Sequence, residues 1–363
     1  MEQIVHHSMF EEAIKSIIAE HRLRSILLVT GQSSYENSSA CAVFSELSKT
    51  IAIQRISDFD VNPSFEDVVR IKQSLNLEDY DAIVSIGGGS VMDFAKLLLF
   101  YAQAPIDIPI ENTGKSELNK SKIHIAIPTT AGSGSEATHF AVMYKNGIKY
   151  SIAHKGLLPH QVVLDSSLTS TKPKHLTACS GMDALCQAIE SLWAKNATAE
   201  SKQFAKEAIK LIVPTLLNVT NEPNAELRER MLSGAHLAGK AINLSKTTAP
   251  HALAYYLTKK HGISHGEAVG INIDFFLVEN WPFIGGEESD FLCTIFNKNS
   301  AIEIAEQLIQ LKKELHLKTA LHTIENLDLE DYLQSINLER MGNNPRQFQL
   351  NELKNSIINY HNL

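Results

Sequence analysis

Four polar residues in the second half of the chain have oxygen or nitrogen atoms that could surround a metal ion. Asp183 and Gln187 are four residues apart in GMDALCQAIES, so they share one face if that segment is helical. His251 and His265 follow in TTAPHALAYY and ISHGEAVG. A carboxylate and two imidazoles suit Fe²⁺ or Zn²⁺, borderline cations that polarise a carbonyl oxygen. Because the chain contains 15 histidines, this spacing alone does not distinguish ligands from ordinary surface or core residues.

A glycine-rich segment in the first half of the chain has the features of a phosphate-binding turn. Gly87, Gly88, Gly89 and Ser90 follow the apolar run DAIVSI and precede VMDFAKLLLFYA, which has helical periodicity. A glycine turn that enters a helix offers free backbone N–H groups and the positive end of the helix dipole to a pyrophosphate. A tight turn without any ligand is an equally good interpretation of these four residues alone.

A second segment of small residues, PTTAGSGSE, directly follows the apolar run IHIAI. Its small side chains allow a flat ligand to approach the backbone, and its hydroxyl groups can bind phosphate or ribose. Because it comes one predicted strand after the glycine turn, both segments should lie at the same edge of a parallel sheet. Together they predict a dinucleotide site.

The surrounding sequence predicts two kinds of architecture in succession. From about residue 25 to residue 165, five short apolar runs alternate with helical segments, which is typical of a parallel sheet wrapped by helices. After Leu168 the chain consists of long amphipathic segments. We therefore predict a Rossmann-like α/β dinucleotide-binding domain over residues 1–172 and an all-α metal and substrate domain over residues 173–363, with the ligand cleft between them.

Composition excludes several classes of function. The 363 residues are 44% hydrophobic with a net charge of −8, and no basic run is interleaved with aromatic residues, which argues against a nucleic-acid partner. No apolar run is long enough to span a membrane, and the first residues are acidic, so we expect a cytoplasmic protein. The four cysteines show no CxxC pairing and are expected to be reduced thiols.

The loop after the first predicted strand bears on the choice of cofactor. Gly31, Gln32, Ser33 and Ser34 stand where an enzyme specific for NAD usually has a carboxylate that binds the adenosine ribose. The hydroxyls, amide and backbone N–H groups of this loop can instead receive a 2′-phosphate. We therefore favour NADP over NAD, although the loop also serves simply to turn the chain.

Three segments resemble the iron-containing alcohol dehydrogenase family. GGGSVMDFAK is similar to the family's GGGSxxDxAK, PTTAGSGSE to PTTAGTGSE, and GMDALCQAIES to GMDALxHAIE. His251 and His265 keep the fourteen-residue separation of that family's last two metal ligands. The resemblance implies a fold shared with glycerol dehydrogenase and dehydroquinate synthase. It also implies a nicotinamide-dependent, metal-assisted alcohol dehydrogenase or aldehyde reductase, often a dimer or a larger oligomer.

The resemblance also assigns roles to individual residues. Asp183, His251 and His265 would bind the metal, with Gln187 in place of the family's histidine ligand, and Tyr255 stands where many members have a histidine suspected in proton relay. The residues that would bind the cofactor, with Asn62 and Lys149 as the weaker contacts, are Gly87, Gly88, Gly89, Ser90, Asp93, Thr129, Thr130, Ser133, Asn62 and Lys149.

Two lysines indicate the class of substrate. Lys240 and Lys246 precede His251 in AGKAINLSKTTAPHALAYY, and ammonium groups near a metal favour an anionic aldehyde, unless both are simply solvated on a helix face. This segment and the later NNPR most resemble the phosphonoacetaldehyde reductase branch, which forms 2-hydroxyethylphosphonate. The alternatives are a dehydrogenase of neutral alcohols, a lyase similar to dehydroquinate synthase, and a scaffold that has lost its metal through Gln187.

Overall fold

The chain divides into two compact units. The computed structural model describes residues 3–118 and 122–362, and the units are Met1–Thr171 and Lys172–Leu363. Unit 1 is an α/β unit with a parallel sheet and unit 2 is helical, so the predicted fold class is confirmed.

Unit 1 is built around six parallel strands in the order β1-β8-β5-β4-β2-β3, beside a separate antiparallel hairpin of β6 and β7. The strands are β1 (Ile4–His6), β2 (Ser25–Thr30), β3 (Ala52–Ile56), β4 (Ala82–Gly87), β5 (Ile123–Pro128), β6 (Phe140–Lys145), β7 (Ile148–Ala153) and β8 (Gln161–Val163). The five predicted runs become β2, β3, β4, β5 and β8. The short β1 and the hairpin were not predicted.

Helices cover both faces of this sheet. They are α1 (Phe10–His21), α2 (Ser33–Glu36), α3 (Ser39–Leu47), α4 (Phe65–Ser74) and α5 (Gly89–Gln103). Alternate residues of β2 enter two separate cores: Leu27 and Val29 pack with Phe94 of α5, whereas Ile26 and Leu28 pack with Ile14 of α1. Burial on both faces explains why β2, β4 and β5 are nearly continuous apolar runs, whereas the edge strand β3 carries polar residues and is only partly buried.

The strand order places a topological switch point between β2 and β4. From β2 the chain moves outward to the edge strand β3, and it then returns to β4 on the other side of β2 and continues towards β5. Ligands of open α/β sheets bind at the carboxyl ends of the strands where the order reverses. The loops that follow β2 and β4 are therefore the expected ligand-binding loops of unit 1.

Unit 2 consists of helices packed around two that are buried along most of their length, α6 and α11. Its helices are α6 (Lys174–Trp193), α7 (Ala199–Ile212), α8 (Leu216–Asn221), α9 (Ala225–Ser245), α10 (Ala249–His261), α11 (His265–Asn280), α12 (Gly286–Phe296), α13 (Ala301–Glu314), α14 (Leu329–Gln334), α15 (Leu338–Gly342) and α16 (Leu350–His361). Helices that are buried all round lack a polar face, and here the polar residues that remain on them form the candidate site.

Glycine allows α6 and α11 to approach each other closely. A Cβ atom at Gly266, in the first turn of α11, would overlap the backbone carbonyl oxygen of Cys179 in α6. This contact fixes the start of α11 against α6.

Among the described residues, no helix is both long enough and apolar enough to cross a bilayer.

Candidate dinucleotide and metal sites

The two small-residue segments of unit 1 lie directly against each other. Gly88 is the N-cap of α5, and a Cβ atom there would lie 3.3 Å from Thr130 Oγ1. At Gly89 a Cβ atom would lie 2.8 Å from Ser133 Oγ. Side chains at these glycines would therefore fill the space beside the N-terminus of α5, where backbone N–H groups can bind a phosphate. The structure brings the two predicted segments together as the sequence indicated.

Two charged residues of α5 hold the second segment in place. The buried Lys96 Nζ donates to the carbonyl oxygens of Ser135 and Phe140 and to Thr138 Oγ1. Asp93 accepts from Ser135 Oγ at 2.6 Å and from the backbone N–H of Val142 at 3.0 Å. Asp93 thus anchors the loop, and direct contact with the cofactor remains a prediction for it.

Burial shifts the pKa values of both anchoring residues. It lowers the pKa of Lys96 to about 8, against the opposing influence of Asp93 and Glu136. Burial raises the pKa of Asp93, while the charges of Lys96 and Lys149 counteract that rise. Lys149, on β7, is therefore close to the motif electrostatically, whereas Asn62 is exposed in the loop between β3 and α4.

Arg55, near the end of β3, supports the loop after β2 and was not singled out by the sequence. Its Nε donates to Thr30 Oγ1 at 2.9 Å, and its Nη2 donates to the carbonyl oxygens of Gly31 and Gln32, both at 3.1 Å. The guanidinium carbon lies 4.6 Å from the centre of the Tyr35 ring. Arg55 Nη1 also pairs with Glu36 Oε1 at 3.1 Å, so an ion pair of Arg55 and Glu36 lies beside the proposed 2′-phosphate loop.

Two serines belong to the predicted 2′-phosphate loop. A Cβ atom at Gly31 would lie 2.7 Å from Ser34 Oγ, so Ser34 folds back over the start of the loop. The side chain of Ser33 lies outside the described residues.

The signal that could have found Arg55 is its place on the strand next to β2, where its side chain reaches the carboxyl end of that strand.

Three of the predicted metal ligands meet in unit 2. His251 Nε2 lies 3.3 Å from Asp183 Oδ1, and His265 Nε2 lies 4.0 Å from the same oxygen. One donor atom from each residue lies within 4.8 Å of the others, the arrangement needed to hold a single cation. His251 is buried and its Nε2 faces the Asp183 carboxylate, so this nitrogen is placed to act as a ligand. The donor set fits a divalent transition metal.

A buried carboxylate fixes the orientation of His251. Glu190, one further helical step along the same face of α6, contacts His251 Nδ1 through Oε2. Its Oε1 accepts from the backbone N–H of Thr248 at 2.8 Å and from Thr248 Oγ1 at 2.9 Å. A carboxylate on the second ring nitrogen directs the first towards a metal and makes it a better donor. The sequence interpretation missed Glu190, although it lies seven residues after Asp183 in a buried helix.

The electrostatic setting of His251 favours a positive charge at this place. Burial lowers the pKa of His251, but the carboxylates of Glu190 and Asp183 outweigh that effect and raise the pKa to about 10. A cation placed beside these carboxylates would be stabilised in the same way as the proton. Neutral imidazole is the form that binds metal, so a metal must displace this proton.

The two departures from the family pattern also lie at this cluster. Gln187 is buried one turn after Asp183 on the same face of α6. The ring of Tyr255 stacks on that of His265, with the centroids 6.0 Å apart and the planes 8° from parallel. Ligation by Gln187 and proton transfer by Tyr255 remain predictions that this placement is consistent with.

The two lysines proposed to bind substrate have partners within unit 2. Lys240 Nζ lies 4.0 Å from the centre of the Phe204 ring, so its ammonium group is directed towards α7. Lys246 Nζ pairs with Glu339 Oε1 at 2.5 Å. Lys246 follows α9 with φ 60° and ψ 170°, a conformation that is rare for any residue except glycine.

The NNPR segment holds the turn that contains Lys246. Asn343 Nδ2 donates to the carbonyl oxygens of Ser245 at 2.9 Å and Thr247 at 3.0 Å, on either side of Lys246. Thr248, the next residue, is held by Glu190. Asn343 therefore holds the peptide groups on either side of Lys246, and Glu190, which also orients His251, holds Thr248 after it.

Both halves of the chain match family descriptions. Residues 2–166 match the family described as iron-containing alcohol dehydrogenase, and residues 177–358 match the Fe-containing alcohol dehydrogenase family, C-terminal. The NADPH-dependent butanol dehydrogenase of Clostridium saccharobutylicum is 30% identical over 328 residues, which make up 84% of this chain and 82% of that protein.

Two further proteins are similar and act on related compounds. The phosphonoacetaldehyde reductase of Streptomyces viridochromogenes is 32% identical over 235 residues, or 62% of this chain and 60% of that enzyme. The sulfoacetaldehyde reductase of Bifidobacterium kashiwanohense, solved in complex with NAD⁺, has a TM-score of 0.89 at 28% identity. That match covers 99% of this chain and 96% of the other.

Proposed function

Because this chain belongs to the iron-containing alcohol dehydrogenase family, we propose that it reduces phosphonoacetaldehyde to 2-hydroxyethylphosphonate with NADPH. The family assignment makes it an oxidoreductase that uses a nicotinamide dinucleotide and iron or another divalent metal. The observation that carries the substrate class is that two of its relatives are named for acetaldehydes bearing a strongly acidic group, phosphonate in one and sulfonate in the other.

The backbone of Lys246 supports a functional role for that residue. A residue held at φ 60° and ψ 170° costs about 1–3 kcal/mol and persists only where its surroundings impose it. Such strain is concentrated at functional sites, and here the turn is fixed by Asn343 and Glu190. We assign Lys246 to the binding of the substrate anion, in exchange for its contact with Glu339.

The residues of the metal cluster would divide the chemistry among them. When bound, the divalent cation polarises the aldehyde oxygen and the reduced nicotinamide supplies the hydride. Asp183, His251 and His265 would hold the cation, with Gln187 as a weaker fourth donor, and Glu190 keeps His251 Nε2 directed at Asp183. Tyr255 Oη would supply the proton to the product oxygen, directly or through water.

Arg55 supports the preference for NADPH. An arginine beside the ribose-binding loop accommodates a 2′-phosphate, whereas a carboxylate there would repel it. Arg55 lies beside Gly31 and Gln32, and residues 30–35 contain no carboxylate, but Glu36 pairs with Arg55, so a 2′-phosphate would have to share or replace that contact. The other cofactor contacts proposed for unit 1 are those of the glycine turn and of Thr129, Thr130 and Ser133.

A steady-state comparison tests the substrate and the cofactor together. NADPH and NADH are each assayed with phosphonoacetaldehyde, sulfoacetaldehyde and butyraldehyde. We expect kcat/KM for phosphonoacetaldehyde to exceed that for butyraldehyde at least about tenfold, equivalent to about 1.4 kcal/mol of discrimination. Reduction of butyraldehyde with equal efficiency would overturn the proposal.

Paired variants test the role of Lys246. Replacing a substrate-binding ammonium by an apolar side chain, Lys246→Met, should lower kcat/KM for phosphonoacetaldehyde about tenfold and leave that for butyraldehyde unchanged. Glu339→Gln breaks the same ion pair but retains the lysine, so it should not lower activity with the anion. An unchanged kcat/KM in Lys246→Met would remove the basis for an anionic substrate.

A dehydrogenase of neutral alcohols is the second candidate. It is favoured by the long match to a butanol dehydrogenase and by the existing partners of both lysines, Phe204 and Glu339. In that case butyraldehyde is the better substrate and Lys246→Met is without effect on it. Metal analysis of protein purified without chelator tests the remaining alternative, a scaffold that has lost its metal at Gln187.

A further inference from the structure

We propose that His175, Cys179 and Glu267 form a second divalent-metal site in unit 2, suited to Zn²⁺. His175 and Cys179 lie one turn apart at the start of α6, and Glu267 lies in the first turn of α11. One donor atom from each of the three lies within 4.8 Å of the others. None of these residues belongs to the Asp183, His251 and His265 cluster.

The separations between donor atoms match those of a tetrahedral zinc site. Bonds of about 2.0–2.3 Å to nitrogen, oxygen and sulfur place neighbouring ligands about 3.3–3.8 Å apart. Cys179 Sγ lies 3.5 Å from His175 Nε2, and that nitrogen lies 3.9 Å from Glu267 Oε2. Movements of a few tenths of an ångström would therefore be enough to close the site on an ion.

The positions of the ligands are fixed by the helix contact already described. Gly266 brings the first turn of α11 against the backbone of Cys179, so the neighbouring Glu267 points towards the same turn of α6. The backbone N–H of Lys318 donates to Glu267 Oε1 at 2.8 Å, which leaves Oε2 as the atom facing His175. The buried Cys179 and Glu267 are thus preorganised ligands, and the exposed His175 is the side chain that must adjust.

The chemistry of the three donors favours zinc over iron. A thiolate is a soft ligand that selects Zn²⁺, whereas the Asp183 cluster has only oxygen and nitrogen donors. Binding removes the proton of the Cys179 thiol to solvent, and the thiolate and the Glu267 carboxylate then balance the two charges of the ion. Water can take the fourth position, as it does at sites with three protein ligands. The bound ion would join α6 to α11.

Cobalt substitution tests the site through a signal that only a thiolate ligand produces. Metal-free protein is titrated with Co²⁺, and we expect a thiolate-to-cobalt charge-transfer band in the near ultraviolet that saturates within two equivalents, because the Asp183 cluster also takes up one ion. The band should be lost in Cys179→Ala. It should persist in the matched control Cys186→Ala, which removes the other buried thiol of α6.

A histidine variant guards against simple misfolding of a cysteine variant. His175 is exposed, so His175→Gln should fold normally. The Co²⁺ affinity of the Cys179 site should fall by more than the roughly 10–100-fold that is typical of losing a residue that only supports a ligand. His316→Asn, at another exposed histidine of unit 2, should leave the affinity unchanged. Absence of the band in the parent protein, its persistence in Cys179→Ala, or equal affinities of the two histidine variants would overturn the proposal.

The same titration separates this site from the proposed active site. Asp183→Ala and His251→Gln should keep the thiolate band while they lower the total number of bound metal ions by one. Loss of the band in those variants would show that the sulfur signal depends on the Asp183 cluster, and the second site would then be wrong. The outcome is independent of which aldehyde the enzyme reduces.

Discussion

The two units offer ligands different kinds of group. In unit 1 the glycine turn presents backbone N–H groups, and its side chains are mainly absent or small. In unit 2 the cluster consists of side chains alone, and one of them, His251, is oriented by a partner, Glu190. A backbone site tolerates changes of side-chain chemistry but not of volume, whereas a side-chain site tolerates little chemical change.

The largest contrast should appear between Asp183 and Ser90. Asp183→Ala removes a charged metal ligand and should lower kcat/KM about 1000-fold, with loss of bound metal. Ser90→Ala leaves the backbone N–H groups of the α5 N-terminus in place and should cost less than about tenfold in kcat/KM. Kinetics and metal analysis of both variants measure this. Equal losses would contradict the division between backbone and side-chain binding.

In unit 2, added side-chain volume should lower stability where two helices are in close contact. Gly266→Ala places a methyl group against the Cys179 carbonyl oxygen and should lower the free energy of unfolding by about 3 kcal/mol, because a buried backbone cannot yield easily. Gly286→Ala, where a Cβ atom meets nothing within 4 Å, serves as the control. Denaturant titration measures both. A stable Gly266→Ala protein would refute the close contact of α6 and α11.

Acid should destabilise the protein through His361. Burial lowers the pKa of His361 to about 3, helped by the charges of Lys312 and His322. The native imidazole therefore stays neutral between about pH 3 and 6.5 while the unfolded one is protonated, so stability falls as the pH falls through that window. Between pH 7 and pH 5 the loss should be about 2 kcal/mol.

Variants of His361 isolate that contribution. Between pH 7 and pH 5 the free energy of unfolding of His361→Gln should fall by about 2 kcal/mol less than that of the parent protein. Denaturant titration at each pH measures both. His316→Asn, at an exposed histidine, should retain the full dependence of the parent protein. The same acid sensitivity in His361→Gln would show that other groups cause it.

The smallest expected effect concerns the backbone of Lys246. Lys246→Gly relieves the strain at φ 60° and should raise the free energy of unfolding by about 1 kcal/mol, while activity with phosphonoacetaldehyde falls. At Asn297, whose φ and ψ are both 51°, glycine should gain only a few tenths of a kcal/mol, roughly, because asparagine tolerates that conformation. Thermal unfolding compares the two, and a gain no larger at position 246 would argue against strain.

The central strands of unit 1, β2, β4 and β5, could be predicted from sequence because they are buried on both faces. Continuous apolar runs such as those of β4 and β5 leave little ambiguity. The β6-β7 hairpin was missed because its strands are only partly buried. Its turn is Asn146-Gly147, a strong hairpin signal that was present in the sequence.

The partners of the site residues could not be predicted in the same way. Asp183 and Gln187 share a helix face, which local periodicity shows. The contact of Glu190 with His251 and that of Lys246 with Glu339 join residues 61 and 93 positions apart. Such pairs depend on how helices pack, and a single sequence carries no local signal for that packing. Glu267 was missed for the same reason.

The sequence His265-Gly266-Glu267 has a consequence for how the two clusters respond to motion. Its outer residues serve different clusters, and the glycine between them rests on the carbonyl of Cys179. The geometry of both clusters therefore depends on one distance, the separation of α6 from the first turn of α11. A fluctuation that increases this separation would move the donor atoms of both clusters apart. An ion bound in either cluster would reduce that fluctuation and so would also hold the donors of the other cluster in place.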